Sequence, residues 1–144
     1  MAISASGFYG LTLEKCLINT AAIDLQAETN KVALVNDSYT PDFNAHDFYN
    51  DLTNEVSGTG YTVGGAALTG TEVTISGGTL TYDATDLSWA TSTITSAMAG
   101  VIYADAVGDE LIYLADFVTA ASTSAGTFTI QWNASGIFTV DFTP

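Results

Sequence analysis

Arginine is missing from the 144 residues, and lysine occurs only at Lys15 and Lys31, against sixteen aspartates and glutamates, for a formal charge of −14 at pH 7. A polyphosphate backbone or an anionic lipid surface repels such a chain, so nucleic acid and membrane headgroups are excluded as expected partners. Cysteine is limited to Cys16, which rules out an intrachain disulfide and reads as a small buried hydrophobe. Histidine is limited to His46, so the ligand spacings of a zinc site are lacking, and a nucleophilic triad would have to centre on that one imidazole with no Gly-x-Ser-x-Gly elbow to serve it. No apolar run approaches the ~18 residues of a membrane span. The opening MAISASGFYG carries neither a basic nor a sustained apolar segment, so no cleaved export signal is expected.

What the chain does contain is apolar and uncharged. Hydrophobic residues make up 47% and charged residues 12%, about half the usual quarter, and mean hydropathy is +0.28. Such a surface is covered by Thr, Ser and Asn, or buries an apolar patch against copies of itself or a partner. The length suits one core burying about two thirds of the unfolded surface. We expect a single domain over 11–144, preceded by a possible N-terminal arm over 1–10.

The periodicities are mostly those of strands. LTLEKCLI, Leu11 to Ile18, supports a short helix, and KVALV, Lys31 to Val35, is a short apolar run bounded by Asn and Asp, which predicts a buried strand. From Tyr61 onward turn signals recur every eight to twelve residues, the spacing of an antiparallel β-sandwich or barrel. Glu72 to Ser76 and Thr79 to Asp83 flank Gly77-Gly78, a two-residue hairpin turn, with Val73, Ile75, Leu80 and Tyr82 expected inward. Leu87 and Trp89 share one side of the next strand. AMAGVIYA, Ala97 to Ala104, and LIYLADFV, Leu111 to Val118, are nearly continuous apolar runs, which predicts strands covered on both faces. Ala120 to Gly126 reads as a flexible loop, and the alternations at Phe128, Ile130, Trp132 and at Phe138, Val140, Phe142 predict a C-terminal hairpin. The predicted fold class is mainly β: an antiparallel, jelly-roll-like β-sandwich with one or two short helices in the N-terminal half.

The stretch from Ser38 to Gly65 gathers the chain's histidine and several carboxylates. Its local signals are those of a helix from about Ala45 to Glu55: Asn44 as N-cap, Asp47 at the third helical position, Phe43 and Phe48 as a hydrophobic staple, and Gly58-Thr59-Gly60 as the stop. On that reading Asp47, Asp51 and Glu55 form a solvated face and His46 is structural. No catalytic residue is expected anywhere in the chain. The acidic loop Asp105-Ala106-Val107-Gly108-Asp109-Glu110 offers weak calcium candidates in Asp105, Asp109 and Glu110, but turn-forming aspartate is the ordinary explanation there, as it is in Asp83-Ala84-Thr85-Asp86. No cofactor is expected.

The succession KVALV, SYTP, HDFYND, NEVSGTGYT, LTG, STIT, GVIY and TFTIQW, running roughly from Leu11 to Phe142, resembles a family of small tailed-bacteriophage virion structural proteins. NEVSGTGYT is its most specific part, and His46, Phe48, Tyr49, Asn54, Gly58, Gly60 and Tyr61 are its signature residues. The resemblance implies a non-enzymatic component of the particle, best matched to a capsid decoration or cement protein on the outer head surface. Its implied partner is the major capsid protein, its implied state a homo-oligomer with trimers favoured, and its implied location the virion, after assembly in the host cytoplasm. One departure stands out: arginine and lysine expected near the N-terminal helix and before GVIY are few or absent, as at Ala97-Met98-Ala99, so contacts built on them are not carried over. Two other readings stay open at this point. One is a tail or head-fibre component touching the host surface, and the other is a small carbohydrate- or calcium-binding β-sandwich suggested by Trp89, Trp132 and the acidic loops.

Overall fold

The computed structural model describes residues 3–143. In chain order the elements are β1 (Gly7–Phe8), α1 (Gly10–Leu17), β2 (Lys31–Asn36), a 3-10 turn (Tyr49–Asp51), β3 (Ala66–Ala67), β4 (Glu72–Ser76), β5 (Thr79–Asp83), β6 (Leu87–Ser92), β7 (Ala97–Ala104), β8 (Glu110–Ala121), β9 (Gly126–Ile130) and β10 (Phe138–Asp141). The expected mainly-β, antiparallel architecture is what forms: every strand pair is antiparallel.

Five strands make the central sheet in the order β1-β8-β7-β2-β3, while β10-β5-β4 and β6-β9 form a three-stranded and a two-stranded sheet. The two smaller sheets are halves of one interrupted ribbon, because β5 runs on into β6 and β9 into β10 past the same break. There the Asp86 carboxylate accepts the Trp132 N–H at 3.0 Å and the Tyr82 carbonyl accepts the Ile137 N–H at 2.7 Å. Between the central sheet and this ribbon lies one core, in which Val32, Leu34, Ile102 and Ile112 meet Tyr82, Trp89, Phe128 and Phe138.

The opposite face of the central sheet carries a second core. Ala33, Val35, Val101, Tyr103, Leu111 and Leu114 are covered there by Ile3, Tyr9 and Tyr39, with Phe43, Tyr49 and Leu52 at the margin. All eight residues of β7 are consequently buried, which gives a physical reason for its unbroken apolar run. The chain's own N-terminal residues and the 38–65 crossover do the covering. In the stretch read as a possible N-terminal arm, Ile3 is fully buried and β1 is paired to β8, while Met1 and Ala2 lie outside the described residues.

Four local expectations are corrected. Phe128–Trp132 and Phe138–Phe142 do not pair with each other, since β9 pairs with β6 and β10 with β5; the Asn133–Gly136 turn passes the chain from one sheet to the other. Ala120–Gly126 is not a free loop: β8 extends to Ala121, and the Thr123, Ser122 and Thr93 hydroxyls accept the N–H groups of Ile94, Ser96 and Ala125. Ile75 is 68% exposed rather than inward, because β4 is the outer strand of its sheet and reaches beyond the core at that end. Cys16 is half-buried, on the pocket side of α1. The Gly77-Gly78 hairpin forms as read, with Ser76 opposite Thr79.

Candidate functional site

The helix expected over Ala45–Glu55 is replaced by extended chain around a single 3-10 turn, and the reason lies in where the carboxylates go. Asp42, not Asn44, supplies the cap: its Oδ1 accepts the N–H groups of Asn44 and Ala45 at 2.9 and 3.1 Å, an Asx turn following Pro41. Asp51 folds back to accept the N–H groups of Asp47 and Phe48 at 2.9 and 3.0 Å, and these two bonds hold its carboxyl below the usual range. With Phe48 extended, it bridges to Glu110 and the Asp47 carbonyl accepts the Leu111 N–H at 2.8 Å. Sheet pairing thus outcompetes local helix propensity. Asp47, expected on a solvated face, pairs with Lys15 at 2.7 Å, and the same ammonium lies 3.9 Å from the centre of the Phe48 ring.

His46 closes a chain of hydroxyls. Tyr39 Oη lies 2.9 Å from His46 Nδ1 and 3.0 Å from Tyr9 Oη. Since the Asp42 N–H also points at Nδ1, at 3.3 Å, that nitrogen is the acceptor, so Tyr39 donates to it and Tyr9 donates to Tyr39. Burial, above all, raises both phenols above their ordinary pKa. No serine or cysteine is among these partners, and the imidazole serves to satisfy a buried tyrosine pair.

Glu55 is the hub for two further signature residues, Tyr49 and Tyr61. Its carboxylate accepts the Tyr49 hydroxyl at 2.5 Å, the Tyr61 hydroxyl at 2.6 Å and the Gly64 N–H at 2.7 Å. Tyr103 joins from the sheet by donating to the Gly64 carbonyl at 2.7 Å, with its ring 4.8 Å from that of Tyr49. Burial first, and the carboxylate second, push the Tyr49 and Tyr61 phenols upward. The Tyr61 oxygen also accepts the Leu34 N–H at 2.9 Å.

Together these bonds complete an edge of the central sheet. Beyond the two residues of β3, the outer side of β2 is paired to the crossover: Val56 N–H donates to Leu34 carbonyl, Glu55 bridges Val35, and Asn36 N–H donates to Asn54 carbonyl. Asn54 adopts a left-handed φ of 58° that asparagine tolerates, and its side-chain amide donates to the Ser38 carbonyl at 3.1 Å. Gly58 and Gly60 bring the loop flush against β6 and the residues after it: a Cβ at Gly58 would lie 1.9 Å from the Thr93 carbonyl oxygen, and one at Gly60 2.8 Å from that of Thr91. An unpaired strand edge is a template for foreign pairing, and NEVSGTGYT fills it.

The calcium candidates are held separately. Asp105 pairs with Lys31 at 3.0 Å, Asp109 accepts the Tyr49 N–H on its backbone carbonyl at 2.9 Å, and Glu110 is 9% exposed with Oε2 lacking a hydrogen-bond partner. Among the described residues no group of three or more His, Cys, Asp or Glu is placed to hold a metal ion. Asp83 and Asp86 accept backbone N–H groups, of Ala84 and Trp132. Sequence reasoning missed Tyr39, Asp42, Asp51 and Glu55 as structural centres; the Pro41-Asp42 turn signal was available, but the joining of Glu55 to tyrosines 49 and 61 was not.

The class these features define is an antiparallel, two-core β domain whose polar cluster locks a sheet edge. Comparison with protein-family models, with curated proteins and with solved structures finds no match for the chain.

Proposed function

We propose that the protein is a non-enzymatic structural component of a tailed-bacteriophage virion, a decoration or cement protein bound to the major capsid protein on the outer head surface and bridging capsomers. The observation that carries this reading is the use made of NEVSGTGYT. The stretch on which the family resemblance chiefly rests spends its carboxylate, its one phenol and its glycines on closing a sheet edge, the use a structural module makes of such residues. The charge of −14 supports an outer rather than a DNA-facing position, since both lysines are engaged in ion pairs. No helix among the described residues is long and apolar enough to cross a membrane. Copies grouped as trimers would cover apolar side chains left exposed, among them Ile75 on β4 and Phe142 just after β10.

The test is the location and copy number of the chain in the particle. Cryo-electron microscopy should find it on the head in a fixed ratio to the major capsid protein, and the purified protein should bind undecorated capsids. Density on the tail, with binding to host cells and none to capsids, would replace this reading with that of a tail or head-fibre component.

A further inference from the structure

β4 is the outer strand of its sheet, and the hairpin to β5 fixes which of its backbone groups lie on the outer edge. Ser76 and Thr79 flank the two-residue Gly77-Gly78 turn, so they form the hydrogen-bonded pair that closes it, followed by Thr74 with Thr81 and Glu72 with Asp83. The other side of β5 agrees: there the Gly78 carbonyl accepts the Phe142 N–H, and Leu80 and Tyr82 stand opposite Val140 and Phe138. Val73 and Ile75 therefore turn their N–H and carbonyl groups away from β5, and among the described residues neither backbone bonds to another element. The strand carries no lysine, proline or bulge, the devices that keep such an edge from pairing. β2, by contrast, has its edge covered by residues 54–56.

We infer that β4 is a self-pairing edge: two copies join antiparallel about a two-fold axis at Thr74, fusing two three-stranded β10-β5-β4 sheets into one. Of the two-fold registers open to the groups at 73 and 75, this one alone matches the two residues with each other, Val73 with the partner's Ile75 and Ile75 with the partner's Val73. The side chains that this register brings together select a second copy as the occupant. Ile75, 68% exposed on the core-facing side of its sheet, is laid against the partner's Val73, so the row Val140-Leu80-Ile75 runs on into the partner's row of Val73, Tyr82 and Phe138. Thr74, exposed and uncharged, sits on the axis. Glu72 falls opposite the partner's Ser76, which leaves the two Glu72 positions roughly 14 Å apart along the strands, more than a Debye length at physiological salt. The contact takes Ile75 for the pair and leaves Phe142 to any contact among three copies. The inference goes beyond the decoration reading and is independent of it.

The test uses the full chain. Sedimentation should show a monomer–dimer equilibrium that strengthens severalfold from low to high salt, as screening relieves the repulsion between two chains of charge −14. I75K, which sets a charge on the edge, should weaken the dimer at least tenfold with an unchanged melting curve, and I75P, which removes an outward N–H and no bond to β5, should do the same. Cysteine cross-linking with Cys16 replaced reads the register. Facing Cα atoms at Thr74 would lie about 4.5 Å apart, within reach of a disulfide, so C16S/T74C should oxidise to a covalent dimer and C16S/E72C should not. A monomer at every concentration, a dimer that I75K leaves intact, or equal cross-linking at positions 72 and 74 would each overturn the inference. Capsid binding measured in parallel separates the two proposals: a dimer that binds no capsid refutes only the decoration reading, and a monomer that binds capsids refutes only this one.

Discussion

Replacing Tyr61 by phenylalanine removes one oxygen atom and, with it, two bonds: the donation to Glu55 at 2.6 Å and the acceptance of the Leu34 N–H at 2.9 Å. A hydrogen bond to a charged group contributes about 1.5–3 kcal/mol, and a buried N–H left unsatisfied costs about 1–3 kcal/mol. The two losses overlap, because Glu55 keeps Tyr49 and the Gly64 N–H, so a net destabilisation of about 3 kcal/mol is expected for Y61F. With a urea m-value of about 2 kcal/mol/M that lowers the midpoint by about 1.5 M at unchanged m. The melting temperature should fall by roughly 10 °C for a domain of this size. The exposed pair of Ser88 and Thr129, 2.9 Å apart across β6 and β9, is the control: S88A should move the midpoint by less than about 0.3 M. The double-mutant cycle of Y61F with E55Q isolates the shared bond and should give a coupling of about 1 kcal/mol or more. A midpoint shift for Y61F no larger than that of S88A would refute the claim that this hydroxyl closes the edge of the central sheet.

Six of the seven tyrosines have their phenol pKa raised by burial, that of Tyr82 to about 12. A raised folded pKa gives stability that is intact below the ordinary value near 10 and is lost as pH climbs through the folded values. Phenolate absorbance should therefore lag behind that of a denatured control above pH 10 and then appear together with the loss of circular dichroism; ionisation of all seven near pH 10 with the fold intact would contradict the burial described. Gly58→Ala should abolish soluble folded protein or cost more than about 3 kcal/mol, since the added methyl meets the Thr93 carbonyl at 1.9 Å, and a normal melting curve would show that the loop is free to move. His46→Ala should cost about 1 kcal/mol through the Tyr39 hydroxyl it leaves without its acceptor, and should leave capsid binding intact; lost binding with the fold preserved would make His46 part of the docking surface.

Strands were legible wherever one strand's own alternation or apolar run decided its burial. KVALV, AMAGVIYA and the Gly77-Gly78 hairpin form where local pattern places them, because a two-residue turn and a fully apolar run leave few alternatives. Asn44, Asp47 and the Phe43/Phe48 staple made good helix signals, yet Asn44 gave the cap to Asp42 and the others found stronger partners at a distance: Asp47 found Lys15, its carbonyl found Leu111, Phe48 bridged to Glu110, and Phe43 packed on Tyr9 at 5.3 Å. A one-dimensional pattern cannot contain those meetings. The C-terminal alternation misled for the same reason, since period two predicts strands but not which neighbour they take. At the candidate site, His46 as a structural residue was readable from its lack of a nucleophile nearby in sequence, while the three-donor grip on Glu55 emerges only when tyrosines 49 and 61 converge on it.

The pairing of β1 with β8 has a consequence for how the molecule is made. Ser6 reaches Asp116, 110 residues later in the chain, where its hydroxyl accepts the Asp116 N–H at 2.9 Å, and Gly7 and Phe8 align with Leu114 and Tyr113. At synthesis rates of 5–20 residues per second the first strand waits roughly 5–20 s for its partner. During that wait Phe8, Tyr9 and the apolar side of α1 have no sheet to rest on, and high contact order slows closure further. The β1–α1 segment is thus among the last to dock, and its apolar side chains stay uncovered until β8 has emerged.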